Sequence, residues 1–161
     1  MYRAYQFGSK VCFERFVGMC RTIREHGKGV AMTNGCFSML HAGHLKMIRE
    51  ASLEFSPLIV VINSAESILR LKGQRPIIED EDRAAMLSSL RHVWHVVVSD
   101  DDSPERLITL LKPRKLFKGG DTLEIVGADL VRQFGGEAVR LTRHSCRSST
   151  EILNGTLTAA N

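Results

Sequence analysis

Proline is scarce, four residues in a chain of 161, and 43% of the residues are apolar, a balance that excludes collagenous and disordered classes. No apolar run is longer than Leu58–Ile62, far short of the ~20 residues that cross a bilayer. Met1–Lys10 also lacks the hydrophobic stretch of a signal peptide, so a cytoplasmic protein with no membrane partner is expected. Cysteine is sparse too. Cys12, Cys20, Cys36 and Cys146 form no C-x-x-C pair, which suits reduced thiols and argues against a zinc site. Aromatics make up only 6% of the chain, and Glu79–Asp82 and Asp100–Asp102 are acidic clusters. With no helix carrying a sustained basic face, these features disfavour nucleic acid as a partner despite a formal charge of +4. A compact, multiply charged ligand fits better. No G-x-x-x-x-G-K-[ST] occurs, which disfavours P-loop kinase chemistry.

What is present is alternation of strand and helix. Short β-rich runs at Val30–Thr33, Leu58–Asn63, Val93–Val98, Lys115–Lys118 and Glu137–Leu141 predict strands. Phe13, Phe16, Val17, Cys20 and Ile23 recur at helical spacing before Gly27, so residues 1–28 are expected to be an N-terminal helix leading into a sheet. Further helical faces are predicted from Leu45, Ile48 and Ser52, from Met86, Leu87 and Leu90, and from Val126, Leu130 and Phe134 ahead of Gly135-Gly136. Ser103-Pro104 opens another helix, with the serine as cap and the proline at the first helical position. Without repeats or a linker, this order predicts one α/β domain over residues 1–161, a parallel sheet of about five strands with helices on both faces. Ligands in such sheets bind at the carboxyl ends of the strands, so the loops there matter most.

The first of those loops reads Thr33-Asn34-Gly35-Cys36-Phe37-Ser38-Met39-Leu40-His41-Ala42-Gly43-His44. Two imidazoles flank a glycine at a helix start, where free N–H groups also face an anion. An isolated H-x-x-H is more often a solvated pair, but this one directly follows a strand. Ser148-Ser149-Thr150-Glu151 is a capping box ahead of Ile152 and Leu153, which predicts a C-terminal helix over 148–161. Lys72 reads either as a phosphate-neutralising cation or as a solvated lysine at a helix end. Arg83 could be an ordinary surface partner of Asp80 or Glu79. His92 and His95 enter a strand facing opposite sides, which suits structural roles.

The G-x-F-x-x-x-H-x-G-H pattern resembles the nucleotidyltransferase superfamily of cytidylyl- and adenylyltransferases, with a Rossmann-like doubly wound sheet. Arg70-Leu71-Lys72-Gly73 and Lys118-Gly119-Gly120-Asp121 resemble the adenylyltransferase domain of ADP-heptose synthesis proteins. That resemblance implies transfer of AMP from ATP, with Mg²⁺, to a sugar 1-phosphate such as heptose 1-phosphate. It assigns catalysis to His41, His44 and Lys72. Nucleotide binding falls to Asn34, Gly35, Cys36, Phe37, Gly43, Lys118, Gly120, Asp121, Arg143, Ser148, Ser149 and Thr150, and acceptor binding to Asn63, Arg70, Arg75 and Arg83. It further implies a homodimer, a separate sugar kinase that supplies the acceptor, and a metal held by phosphate oxygens rather than by protein ligands.

The chain departs from the family pattern at Ser38, Ala65 and Trp94, where relatives carry carboxylates. Two other readings therefore stand beside the first. One is a cytidylyltransferase acting on glycerol phosphate or a similar phosphoalcohol. The other is a nucleotide-binding regulatory protein with little turnover.

Overall fold

The computed structural model describes residues 1–119 and 124–141. It begins with a hairpin rather than a helix. Strands β1 (Tyr2–Gln6) and β2 (Ser9–Val11) pair antiparallel, and the first helix, α1 (Phe13–Glu25), follows. The expectation of a helical leader over residues 1–28 is thus corrected. Phe7 and Gly8 both take left-handed backbone angles, φ 50° and 75°, the geometry a two-residue hairpin turn demands. The Gly8 N–H donates to Ser88 Oγ at 3.0 Å and pins this turn to the body of the fold. At the end of α1, Gly27 N–H donates to Arg24 O and Lys28 N–H to Ile23 O, which satisfies two orphan carbonyls and stops the helix at the predicted glycine.

The order then runs β3 (Ala31–Gly35), α2 (Ala42–Glu54), β4 (Leu58–Asn63), α3 (Ala65–Lys72), α4 (Asp80–Ser88), β5 (His95–Ser99), α5 (Glu105–Leu111), β6 (Lys115–Lys118), α6 (Ala128–Gln133) and β7 (Glu137–Arg140). The strands lie in the order β2-β1-β5-β4-β3-β6-β7. From β5 to β7 all pairings are parallel, while β1 runs antiparallel beside β5. The five-stranded parallel sheet is therefore extended by two antiparallel strands.

Each sheet face buries its own apolar cluster. In β4, Val60 and Ile62 face Ile48, Ala51, Ala84 and Leu87 of α2 and α4. Ile59 and Val61 join Phe16, Cys20, Leu107, Ile108 and Val131 from α1, α5 and α6. That alternation with both faces apolar is what a covered parallel strand requires.

Helix faces differ in detail from the sequence reading. Leu45 and Met86 are exposed on their helices, whereas Met47 and Ala84, two positions away, are buried; Val126 is exposed ahead of α6, whose buried residue is Val131. Helix α5 starts at Glu105 with Pro104 as its cap residue, one position later than Ser103-Pro104 suggested. Helix α3 was not expected as a separate element. Ser64 caps it by accepting from Ser67 N–H at 3.2 Å, and Gly73 ends it at φ 73°. Lys72 is accordingly the last residue of a helix and not part of a loop. The predicted helix over 148–161 lies outside the described residues.

The chain steps outward from β3 through β4 to β5, then returns to place β6 on the other side of β3. The connections that leave the carboxyl ends of β3 and β6 therefore pass to opposite faces, to α2 on one and α6 on the other. That switch in winding direction opens a crevice, the position at which doubly wound sheets take their ligands.

Candidate functional site

Beyond Gly35 the chain turns sharply. A Cβ on Gly35 would lie 3.2 Å from the Phe37 ring, so the absence of a side chain lets that ring fold back over the strand end. Phe37 is buried and has φ 45°, a left-handed conformation uncommon for a bulky residue. His41 caps α2, its Nδ1 accepting from Gly43 N–H at 3.2 Å. In the neutral ring this leaves the proton on Nε2. The His44 ring stacks 3.8 Å from His41 and 4.7 Å from Phe37, measured between centroids.

Both histidines resist protonation. Burial lowers the pKa of His41. For His44, burial first, then His41 and the Lys72 charge, push the value down to about 4, against a smaller opposing pull from the Met39 backbone. The Nδ1 atom of His44 is buried and has no hydrogen-bond partner among the described residues. A free polar nitrogen inside a site is costly unless a ligand answers it.

A cavity of about 170 Å³ occupies the crevice. It is walled by the end of β3 from Thr33 to Phe37, by His44 and Met47 of α2, and by Lys118 and Gly119 after β6. The Lys118 amine donates to Asn34 O at 3.1 Å, and burial lowers its pKa. It makes no ion pair among the described residues. A Cβ on Gly119 would come within 3.0 Å of Met47 Cγ, so this glycine permits the close approach of the β6 loop to α2. The described wall thus offers hydrogen-bond donors and one cation, which suits an anion.

The structure brings Asn34, Gly35, Cys36, Phe37, His44 and Lys118 to one cavity, with His41 stacked on His44 and Gly43 bonded to His41 behind it. Asn63 lies at its edge, its Oδ1 within 3.9 Å of Cys36 Sγ, while its amide donates to Ser67 Oγ at 3.0 Å and Asp101 O at 3.3 Å. Lys72 is exposed, yet close enough for its charge to act on His44.

Arg70 and Arg75 are exposed and paired within the chain. Arg70 binds both Asp102 oxygens and donates to Asp100 O at 2.6 Å; Arg75 binds Glu66. Arg83, expected on the acceptor side or as a surface pair, is 2% exposed. Its guanidinium is taken up by backbone carbonyls and Asp80, so its place is beneath the site and not on its surface. Gly120, Asp121, Arg143, Ser148, Ser149 and Thr150 lie outside the described residues. Sequence reasoning missed Thr33 and Met47 as wall residues. Met47 follows His44 by three positions on α2 and shares its face, a signal that was available.

Comparison with known proteins shows the family of the chain. A family model described as cytidylyltransferase-like matches residues 32–152. The bifunctional protein HldE of Geobacter metallireducens is 41% identical over 145 residues, 88% of this chain and 30% of that protein. The HldE protein of Gluconobacter oxydans is 38% identical over 151 residues, 92% of this chain and 32% of the relative. The chain therefore spans about a third of the length of these relatives. Among solved structures, a lipopolysaccharide core biosynthesis protein from Thermoplasma volcanium superposes with a TM-score of 0.62 at 25% identity, covering 71% of this chain and 97% of that one.

Proposed function

Because this chain belongs to the cytidylyltransferase-like family, we propose that it is a nucleotidyltransferase that moves AMP from ATP to a sugar 1-phosphate, heptose 1-phosphate foremost. The observation that carries this reading is the donor-lined cavity at the switch point between β3 and β6, with His44, Lys118 and the stacked His41 around it. Similarity to the HldE proteins supports adenylyl transfer and a heptose acceptor. On this reading a separate sugar kinase supplies the phosphorylated acceptor, and the working unit is a homodimer.

An oxygen of the acceptor phosphate attacks the α-phosphorus of ATP. A new P–O bond forms there as the bond to the β-phosphate oxygen breaks, and pyrophosphate leaves. The attacking phosphate is already ionised at neutral pH, so no general base is needed. Catalysis reduces to positioning two anions and offsetting the charge that grows on the transferred phosphorus and the leaving oxygen. His41 and His44 act as neutral ring donors, Lys118 as the half-buried cation and Lys72 as the cation at the rim. Mg²⁺, when bound with ATP, supplies further neutralisation of the phosphates. The described cavity wall carries donors and no carboxylate, which fits an ion held through phosphate oxygens and water.

A matrix of four nucleoside triphosphates against phosphorylated acceptors, read by pyrophosphate release, tests the reading. ATP with heptose 1-phosphate should be the productive pair, and His44→Ala should lower its turnover by about 10². Release from CTP with glycerol phosphate would make the chain a cytidylyltransferase instead. Nucleotide-induced thermal stabilisation without pyrophosphate from any pair would make it a binding protein.

A further inference from the structure

By volume, Arg83 is the largest fully buried side chain among the described residues, and it is not itself one of the residues that line the cavity. We propose that Arg83, locked by Asp80, is a positioning residue for the two histidines: its guanidinium fixes the Cys36–Phe37 peptide in the orientation that seats the Phe37 ring against His44. The proposal rests on the nucleotidyltransferase reading of the site and adds to it a residue that acts from below.

The hydrogen bonds run in a defined sequence. Arg83 Nη1 donates to Cys36 O at 2.7 Å and to Asn63 O at 3.0 Å, so one nitrogen joins the loop after β3 to the end of β4. Nε donates to Ile78 O at 3.0 Å. Nη2 donates to Asp80 Oδ1 at 2.6 Å, and that same oxygen accepts from Ala65 N–H at 2.7 Å at the start of α3. The other Asp80 oxygen accepts from Arg3 Nη2 of β1 at 2.6 Å. A planar guanidinium with donors in fixed directions can satisfy these acceptors together, whereas an ammonium offers a compact point charge on a flexible stem.

Cys36 O is the critical acceptor. It belongs to the peptide that precedes Phe37, and a rotation of that peptide changes ψ of residue 36 and φ of residue 37 together. Phe37 sits at φ 45°, which a bulky residue leaves readily for negative φ when nothing holds it. Such a relaxation would turn the Cys36 carbonyl away from Nη1 and carry the aromatic ring off His44. The imidazole pair, 3.8 Å apart, would lose the surface it stacks on. The chain of contact is thus Arg83 to Cys36 O, to the left-handed Phe37, to His44, to His41.

The test uses Arg83→Lys and Asp80→Asn in the full chain, read by steady-state kinetics and by hydrogen–deuterium exchange. Arg83→Lys should lower kcat by at least about tenfold while KM for ATP moves by less than about threefold, because histidine placement matters most in the transition state. Exchange over Gly35–Leu40 should accelerate about tenfold or more, with the amides of β4 and β5 unchanged. Asp80→Asn should shift both readouts in the same direction by less, and decides the matter if Arg83→Lys does not fold. A folded variant with unchanged exchange in this loop, or with kcat within threefold of the wild type, overturns the proposal. If the wild-type chain releases no pyrophosphate from any pair, the functional reading fails and the exchange measurement alone judges the clamp.

Discussion

Triphosphate binding should become tighter in mild acid, and His44 should be the reason. In the free protein burial, His41 and Lys72 hold its pKa down to about 4, so the ring is almost entirely neutral even near pH 5.5. A phosphate oxygen placed against the unpartnered Nδ1 supplies an acceptor and a negative charge, and both favour the protonated ring. Suppose the bound pKa returns to the ordinary 6.5 or so. A group whose pKa rises on binding gives affinity that grows as pH falls through the bound value, with no effect well above it. Taking the ratio of the two protonation factors, affinity at about pH 5.5 exceeds that at about pH 7.5 by roughly tenfold, or about 1.4 kcal/mol. Partial solvent access makes this an upper figure. Protonation of the triphosphate runs the other way, so the comparison is with His44→Gln over the same pH range. Calorimetry in two buffers of different ionisation enthalpy should show close to one proton taken up by the wild type near pH 5.5 and none attributable to position 44 in the variant. Identical pH profiles for the two proteins would refute the reasoning.

Three other outcomes are expected. His95 is 2% exposed, its Nδ1 has no partner among the described residues, and burial lowers its pKa to about 4. Its neutral form is the stable one, so stability is intact above about pH 6.5 and falls by about 1.4 kcal/mol per pH unit as pH drops from there towards 4. His95→Leu should flatten that acid limb in urea titrations, and an unchanged slope would contradict the assignment. Gly136→Ala places a Cβ 2.6 Å from Pro113 O and 2.8 Å from Val131 Cγ1. It should cost about 2 kcal/mol or more in denaturant titrations, against about 1 kcal/mol for Gly135→Ala, which has open space around it and only its φ of 76° to strain. Lys118→Met should weaken triphosphate binding by about tenfold or more while leaving thermal stability unchanged or raised, since it removes a half-buried charge that has no ion pair among the described residues. A marked loss of melting temperature would mean that the lysine serves the fold.

The parallel strands are legible in the sequence because each is a short run of β-favouring residues close to turn residues, and Leu58–Asn63 and Lys115–Lys118 are found at their expected bounds. The histidine loop is legible because its residue types are rare in combination. The hairpin at Tyr2–Val11 is not, since its turn uses Phe7 where asparagine or glycine would announce a left-handed position. Helix α3 is only eight residues long, yet Ala65, Ile68 and Leu69 keep helical spacing between the Ser64 cap and Gly73, a signal the sequence reading passed over. Arg83 is the instructive case. Its neighbours Asp80 and Glu79 suggest a surface pair, but its burial is decided by carbonyls at Cys36, Asn63 and Ile78, and only the assembled fold brings those together.

The cations of this molecule divide by how they are partnered, and that division separates scaffold from site. Arg83 cannot discharge at any accessible pH, so burying it requires full compensation within the chain. It receives a carboxylate and three carbonyls. Lys118 and His44 can give up a proton, and burial presses both to do so. Among the described residues the fold leaves the first with a single carbonyl and the second with a ring Nδ1 that has no partner. Completing either set inside the chain would have stabilised the apo protein and blunted its pull on an anion. Incomplete compensation at the crevice among the described residues suits a counter-charge that arrives with the proposed ligand, while complete compensation one layer below keeps the crevice in shape to receive it.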